Sequence, residues 1–320
     1  MNPRSFHRLE QAPPPPAIPS NAPPKWKESP LYRADRELVM SLQIAMAMRQ
    51  PLLLTGDPGC GKTGAAYWAA WRLGLSPQDF FHVQTRSDAS AARLKYEFDA
   101  VRYFRESQAS ALRNIPFDED RERFLQRGPL WLAFCAAQKR STVLLLDEID
   151  KAPRDFPNDL LHEFELLEFE VPEWPEPDGR PRRISGRGGP DDGLTLMVLT
   201  SNGERQLPDA FLRRCVHHHL RFDAVWLAEI VRHRMALGDL RIDPGLVDHA
   251  VKRFVVLQNT PGLRHRPGLS EFLVWLRTVA LVGGIDPQRL SSLRPAELPY
   301  LGTLLKDPND RDLVSRMGPA

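Results

Sequence analysis

Eight consecutive residues carry the clearest chemistry in this chain: Gly56-Asp57-Pro58-Gly59-Cys60-Gly61-Lys62-Thr63. They match the phosphate-binding pattern G-x-x-x-x-G-K-[ST] in full. Glycines let the backbone wrap closely, so that several N–H groups can aim at phosphate oxygens. The helix expected to follow adds its positive end. Lys62 can reach the terminal phosphates, and the Thr63 hydroxyl can ligate magnesium. Roughly 80 residues on, the run Leu144-Leu145-Leu146 delivers Asp147-Glu148 at its tip. Asp147 suits magnesium, directly or through water, and Glu148 suits the role of orienting and deprotonating an attacking water.

A third apolar run ends in Thr200-Ser201-Asn202. A polar side chain there can position a lytic water beside the γ-phosphate, which makes Asn202 a sensor candidate. Just beyond it, Leu207-Pro208-Asp209-Ala210-Phe211-Leu212 leads to Arg213-Arg214. Adjacent arginines after a short helix are ordinarily surface charges. A ring ATPase, however, needs an arginine that reaches the neighbouring subunit's phosphate.

These groups must be held by regular elements. The apolar periodicity of 37–48 predicts a helix, 51–55 a buried strand, and 64–73 a helix, so the glycine loop sits between strand and helix. Further buried strands are expected at 142–146 and 194–200. Three apolar strands with polar residues at their carboxyl ends predict a parallel sheet, flanked by helices in an α/β fold, with ligands bound beyond those ends. Residues 172–190, rich in Pro, Gly, Arg and Asp, read as an exposed loop. Helical patterns at 225–236, 245–257 and 270–282 follow. The organisation expected is a proline-rich disordered arm over 1–30, a nucleotide-binding α/β domain over 31–223, and a helical lid domain with a tail over 224–320.

The chain has 320 residues, 42% hydrophobic and 26% charged, with a formal net charge of +2. That length suits two domains, and that charge does not by itself argue for a nucleic-acid or membrane partner. Cys60, Cys135 and Cys215 are too few and too far apart for a disulfide framework or a zinc cluster, which favours a reducing compartment. No run approaches the roughly 20 apolar residues of a spanning helix. A cytoplasmic protein is expected.

With those four signals in order, the chain resembles an AAA+ ATPase. The longer strings Asp147-Glu148-Ile149-Asp150-Lys151-Ala152-Pro153-Arg154 and Thr200-Ser201-Asn202-Gly203-Glu204-Arg205-Gln206-Leu207-Pro208 are similar to the MoxR-like group. The resemblance covers roughly residues 30–285. It implies a P-loop fold, ATP with Mg2+ as ligands, and a homo-oligomer, in the family a hexamer with ATP between subunits. It further implies a hairpin before the sensor strand, over 169–196, that faces a client. Partners with a von Willebrand factor A domain are frequent in the group. By the same resemblance Arg214 falls at the finger position, with Arg213 as second choice. Arg266, just before Pro267, is the candidate second sensor; the commoner pattern places that arginine after the proline, where this chain has Gly268.

Other features read more plainly. His217-His218-His219 is expected on a strand surface, because consecutive side chains of an extended segment alternate faces and do not converge on a metal. Arg180, Arg182, Arg183 and Arg187 lie among acids and read as a solvated loop. The function expected is an ATP-hydrolysing protein-remodelling motor. Competing readings are a nucleic-acid-linked nucleotidase of a restriction or defence system and a regulatory switch ATPase.

Overall fold

Strand β1 (Leu52–Thr55), the segment before the glycine loop, lies inside a parallel sheet rather than at its edge. The computed structural model describes residues 17–113, 120–187, 193, 195–221, 224–282 and 286–316. Its main sheet also contains β2 (Phe80–Gln84), β5 (Thr142–Asp147), β8 (Thr195–Ser201) and β9 (Val216–His219), in the order β2-β5-β8-β1-β9. Every residue of β5 and of β8 is buried. That uniform burial is what a parallel sheet covered on both faces demands, and it explains the unbroken apolar runs. Register aligns the strand ends: Gln84 pairs with Asp147, and Thr55 with Ser201. Polar groups from neighbouring strands therefore share one carboxyl edge.

The chain divides into two compact units. The first takes Arg36–Thr55, Ala69–His218 and the described residues up to Trp26. The second takes Lys27–Asp35, Gly56–Trp68 and the described residues from His219 on. The first unit's core joins Leu53 and the inward residues of β5 and β8 to Phe134, Phe164 and Phe211. Each such side chain contributes about 1.5–3 kcal/mol on burial. Helix Arg36–Met48 buries Leu38, Val39, Leu42, Ala45 and Met46, the three-and-four spacing read from its sequence.

The second unit's core is helical. Helices Ala224–Ala236, Pro244–Gln258 and Leu269–Val282 bury Leu227, Val231, Val251, Phe254, Phe272 and Trp275. Phe254 and Phe272 pack with ring centroids 4.5 Å apart. The Trp275 indole N–H donates to the Pro299 carbonyl at 2.8 Å, so its polar end is satisfied inside the core.

Two expectations are corrected. The proline-rich arm was expected to be structureless through residue 30. Residues 24–27 instead form a helical turn whose Trp26 is 2% exposed and sits edge-on to Phe80, 5.8 Å between centroids. One tryptophan buries enough area to order a segment whose average composition argues against it. Residues 1–16, including Pro13 to Pro16, lie outside the described residues. The loop expected over 172–190 is shorter: β6 (Glu168–Val171) pairs antiparallel with β7 (Arg182–Ser185), Phe169 against Ile184. Ile184 is buried while Arg183 beside it points out, a two-residue alternation masked by the surrounding Pro, Gly and Arg. Residues 188–192 and 194 of the expected hairpin fall outside the described residues.

A second small antiparallel pair was not foreseen. Strands β3 (Tyr96–Phe98) and β4 (Leu125–Arg127) flank helix Ala100–Leu112, which buries none of its residues. Three-residue strands carry too little periodicity to be read from sequence.

Candidate nucleotide site

In the second unit, the phosphate loop takes left-handed backbone at Gly56, Gly59 and Gly61. The constraint is strongest at Gly56, with φ 144°, where a Cβ would stand 2.7 Å from the Leu220 carbonyl oxygen. Lys62 is 6% exposed, and its Nζ donates to the carbonyl oxygens of Gly56 at 2.7 Å and Asp57 at 2.9 Å. The ammonium is thus held within the loop's own curve. Thr63 follows it in the first turn of helix Lys62–Arg72. Cys60 is buried, and that burial pushes its thiol pKa up even though the Lys62 cation acts to lower it. A depressed pKa marks a reactive thiol, and the direction at Cys60 is the opposite.

Aromatic residues absent from the sequence reading border this loop. Tyr32 packs against Gly61 and Gly64, each close enough that a Cβ would lie within 3.2 Å of its ring. Burial holds the Tyr32 hydroxyl far above its usual range. Tyr32, Arg33, Cys60, Leu220 and Trp226 line a small cavity, and the Arg33 guanidinium lies 5.8 Å from the Trp226 ring centre. No motif spacing could have drawn together residues 32 and 226.

Gly268 also meets the loop. A Cβ there would lie 2.5 Å from the Pro58 carbonyl oxygen and 3.4 Å from the Gly59 Cα. The Gly268 N–H donates to Glu271 Oε2 at 3.0 Å, and Ser270 Oγ lies 3.5 Å from the Gly59 carbonyl oxygen. The structure thus gives a steric reason for glycine at the position where the commoner pattern has arginine. Arg266 is exposed.

In the first unit, the carboxyl edge of the sheet gathers the acidic motif and the sensor candidate Asn202. Asp147, 4% exposed, accepts from the Thr200 hydroxyl at 2.6 Å, and its other oxygen lies 3.2 Å from His82 Nε2. Thr200 Oγ1 in turn accepts from the Glu148 N–H at 2.8 Å. Glu148 itself has φ 59°, a left-handed backbone rare for a side-chain-bearing residue. Such strain is found where a surrounding structure over-determines a residue, as at functional sites. Its Oε1 accepts from Asn202 Nδ2 at 3.2 Å; its Oε2 accepts from Gln84 Nε2 at 2.7 Å and Lys151 Nζ at 2.8 Å. The hydrogen bond from Lys151 to Glu148, reinforced by the charge of Glu148, raises the lysine's pKa. Asp150 is 2% exposed, and its Oδ2 accepts from the N–H groups of Asn202 at 3.1 Å and Glu204 at 3.0 Å.

Asp147, Glu148 and Asn202 are therefore brought together as their motifs suggested. His82, Gln84, Asp150, Lys151 and Thr200 join them without having been singled out. Thr200, Asp150 and Lys151 stood inside quoted strings, yet their partners depend on strand register. His82 and Gln84 belong to β2, whose mixed pattern hid it.

The arginine pair behaves unequally. Arg214 donates to Glu165 at 3.0 Å and to the Ala210 carbonyl oxygen at 2.9 Å. Arg213 is exposed; its backbone N–H donates to the Asp209 carbonyl oxygen at 3.1 Å, and no side-chain hydrogen bond or ion pair of Arg213 is found among the described residues. The three histidines do not converge. His217 Nε2 lies 2.8 Å from the Thr55 hydroxyl, while His218 is buried with its Nδ1 3.3 Å from Ser41 Oγ. Among the described residues, no helix is long and apolar enough to cross a membrane.

No curated protein matches the chain. Similar solved structures include three variants of the RuvB protein of Thermotoga maritima. The first is 15% identical with a TM-score of 0.45, covering 84% of this chain and 71% of that one. The second is 16% identical at 0.43, covering 81% and 68%. The third is 16% identical at 0.36, covering 81% and 72%. The family profile "AAA domain (dynein-related subfamily)" matches residues 51–215, just over half of the chain and the stretch that holds the phosphate loop, the acidic motif and the sensor. The chain belongs to this AAA family and is a P-loop ATPase.

Proposed function

We propose that the chain is a MoxR-like AAA+ ATPase that assembles into a ring, a hexamer by family resemblance, and couples ATP hydrolysis to remodelling of a protein client. The observation that carries the chemical half is the convergence of Asp147, Glu148 and Asn202 on one sheet edge, with the base candidate touched directly by the sensor candidate. Lys62 binds the terminal phosphates. Thr63 and Asp147 offer the hard oxygen donors that Mg2+ prefers, and the ion, when bound, neutralises charge developing on the transferred phosphoryl group. Thr200 and His82 orient Asp147 in the way that outer-shell partners fix a metal ligand. Glu148 takes the proton from water, and Asn202 positions that water. An arginine of the next subunit, Arg214 or Arg213, stabilises the transition state. Arg266 serves as second sensor, reading the nucleotide from the helical side.

The domains in this reading are a nucleotide-binding domain through 223 and a helical lid over 224–320. The β6–β7 hairpin faces the client, and a partner with a von Willebrand factor A domain is the favoured kind. A nucleic-acid partner is disfavoured by the hairpin's charges: Arg180 pairs with Asp178, Arg182 with Glu176, and Arg183 with Glu168 and Glu170. Those arginines are already neutralised locally, which leaves little of the free positive charge that phosphate backbones recruit. The site assignment is tested by two variants. Lys62→Ala should lose nucleotide binding, while Glu148→Gln should bind ATP and lose about 10²–10⁴-fold in hydrolysis. Normal turnover by Glu148→Gln would overturn the base assignment.

A further inference from the structure

Asp150 sits two residues beyond the base candidate, in a tight helical turn at Ile149–Lys151. A buried carboxylate is costly unless its oxygens are satisfied. Here one oxygen has two partners and the other has none. Oδ2 accepts from the Asn202 and Glu204 amides, and Oδ1 is buried without a hydrogen-bond partner among the described residues. An ordinary cap could have satisfied one amide of the sensor loop at less cost. A carboxylate reaching across from the neighbouring strand's turn does something a local cap cannot. It ties the loop that carries Asn202 to the turn that carries Glu148.

The tie is reinforced nearby. The Glu148 N–H donates to Thr200, two residues before Asn202, and Asn202 Nδ2 donates back to Glu148 Oε1. Asp150 grips the backbone of Asn202, Thr200 receives the backbone of Glu148, and only then do the two side chains meet at 3.2 Å. We propose that Asp150 is a positioning residue for hydrolysis: its carboxylate sets where Asn202 stands relative to Glu148. Asp150 is 2% exposed and acts through the sensor. This rests on the reading of Asn202 as sensor and Glu148 as base.

The geometry dictates the pattern of effects. Asparagine keeps an oxygen at the Oδ2 position and can still accept from both amides. Alanine takes away the acceptor of two part-buried N–H groups and frees the loop. A displacement of about 1 Å in a reacting constellation can cost about 10²-fold. Asp150→Ala should therefore lower kcat about 10²-fold, with KM for ATP changed less than twofold, while Asp150→Asn should stay within a few-fold of the parent. The sharper test is a double-mutant cycle on the full-length protein, reading ATPase rate and ATP binding together. If Asp150 acts through Asn202, then Asp150→Ala added to Asn202→Ala should change kcat by no more than about twofold, because the positioned group is already gone.

Two results would overturn the proposal alone: normal kcat in Asp150→Ala, or losses in the double variant that multiply as for independent sites. A normal kcat in Asn202→Ala is a different failure, because it removes the sensor itself and the proposal with it. If Asp150→Ala does not fold, Asp150→Ser gives the same reading, since its shorter side chain cannot bridge both amides; amide exchange at Asn202 and Glu204 should then speed up in that variant, and unchanged exchange with unchanged kcat would overturn the proposal.

Discussion

Replacing Gly268 by alanine should damage the phosphate loop from outside it. The new Cβ would lie 2.5 Å from the Pro58 carbonyl oxygen, 3.2 Å from Glu271 Oε2 and 3.4 Å from the Gly59 Cα. Ordinary carbon–oxygen contact begins at about 3.3 Å, so the loop or the start of helix Leu269–Val282 must give way by roughly 0.8 Å. Two of the three obstacles are backbone atoms, and backbone cannot swing aside as a side-chain tip can. Backbone strain does not enter, since Gly268 is not among the residues with positive φ. Overpacking of this kind costs about 1–3 kcal/mol. If about 1.4 kcal/mol of it falls on the ATP-competent loop, ATP affinity drops about tenfold. The assay pairs urea unfolding with ATP titration. Gly302→Ala is the control, because its nearest neighbour stands 3.9 Å away. Parental stability and parental ATP affinity in Gly268→Ala would refute the steric argument.

Further outcomes are expected. Arg213→Ala and Arg214→Ala should each bind ATP, and the one that supplies the neighbour's phosphate should lose about 10³–10⁵-fold in rate. Mixed with Lys62→Ala subunits, which can still lend their arginine, that variant should regain measurable activity; mixed rings without rescue, their composition established by native mass measurement, would assign both arginines to the surface. Trp275→Ala removes a fully buried ring and its hydrogen bond to the Pro299 carbonyl. It should cost about 3–5 kcal/mol in equilibrium unfolding, and a loss below about 1 kcal/mol would contradict the helical core described above.

The candidate site residues were legible before any fold was known, because their spacing along the chain is itself the constraint. A phosphate loop must be contiguous, so residues 56–63 announce themselves. A candidate metal-binding acid beside a candidate base is expected at a strand tip, so an apolar run ending in Asp147-Glu148 is readable. The central strands were equally plain, since burial on both faces leaves no polar residue to blur them. Strand β2, only partly buried along most of its length, lacked that signal, and with it went His82 and Gln84.

Tertiary structure decided everything that depends on register and on contacts between distant segments. Gln84 meets Glu148 because β2 pairs with β5 in one particular alignment, and a slip of one residue would turn that side chain to the other face of the sheet. Nothing in the string Asp147 to Lys151 says that Asp150 will be buried under the sensor loop while Lys151 reaches back to Glu148. Nor does the local sequence explain Gly268: its lack of a side chain matters only because Pro58, more than 200 residues earlier, lies against it. Pattern along the chain reports what each residue can do, since chemistry belongs to residue types. Which partner each residue does it with is set by packing, where separations along the chain collapse to a few ångströms.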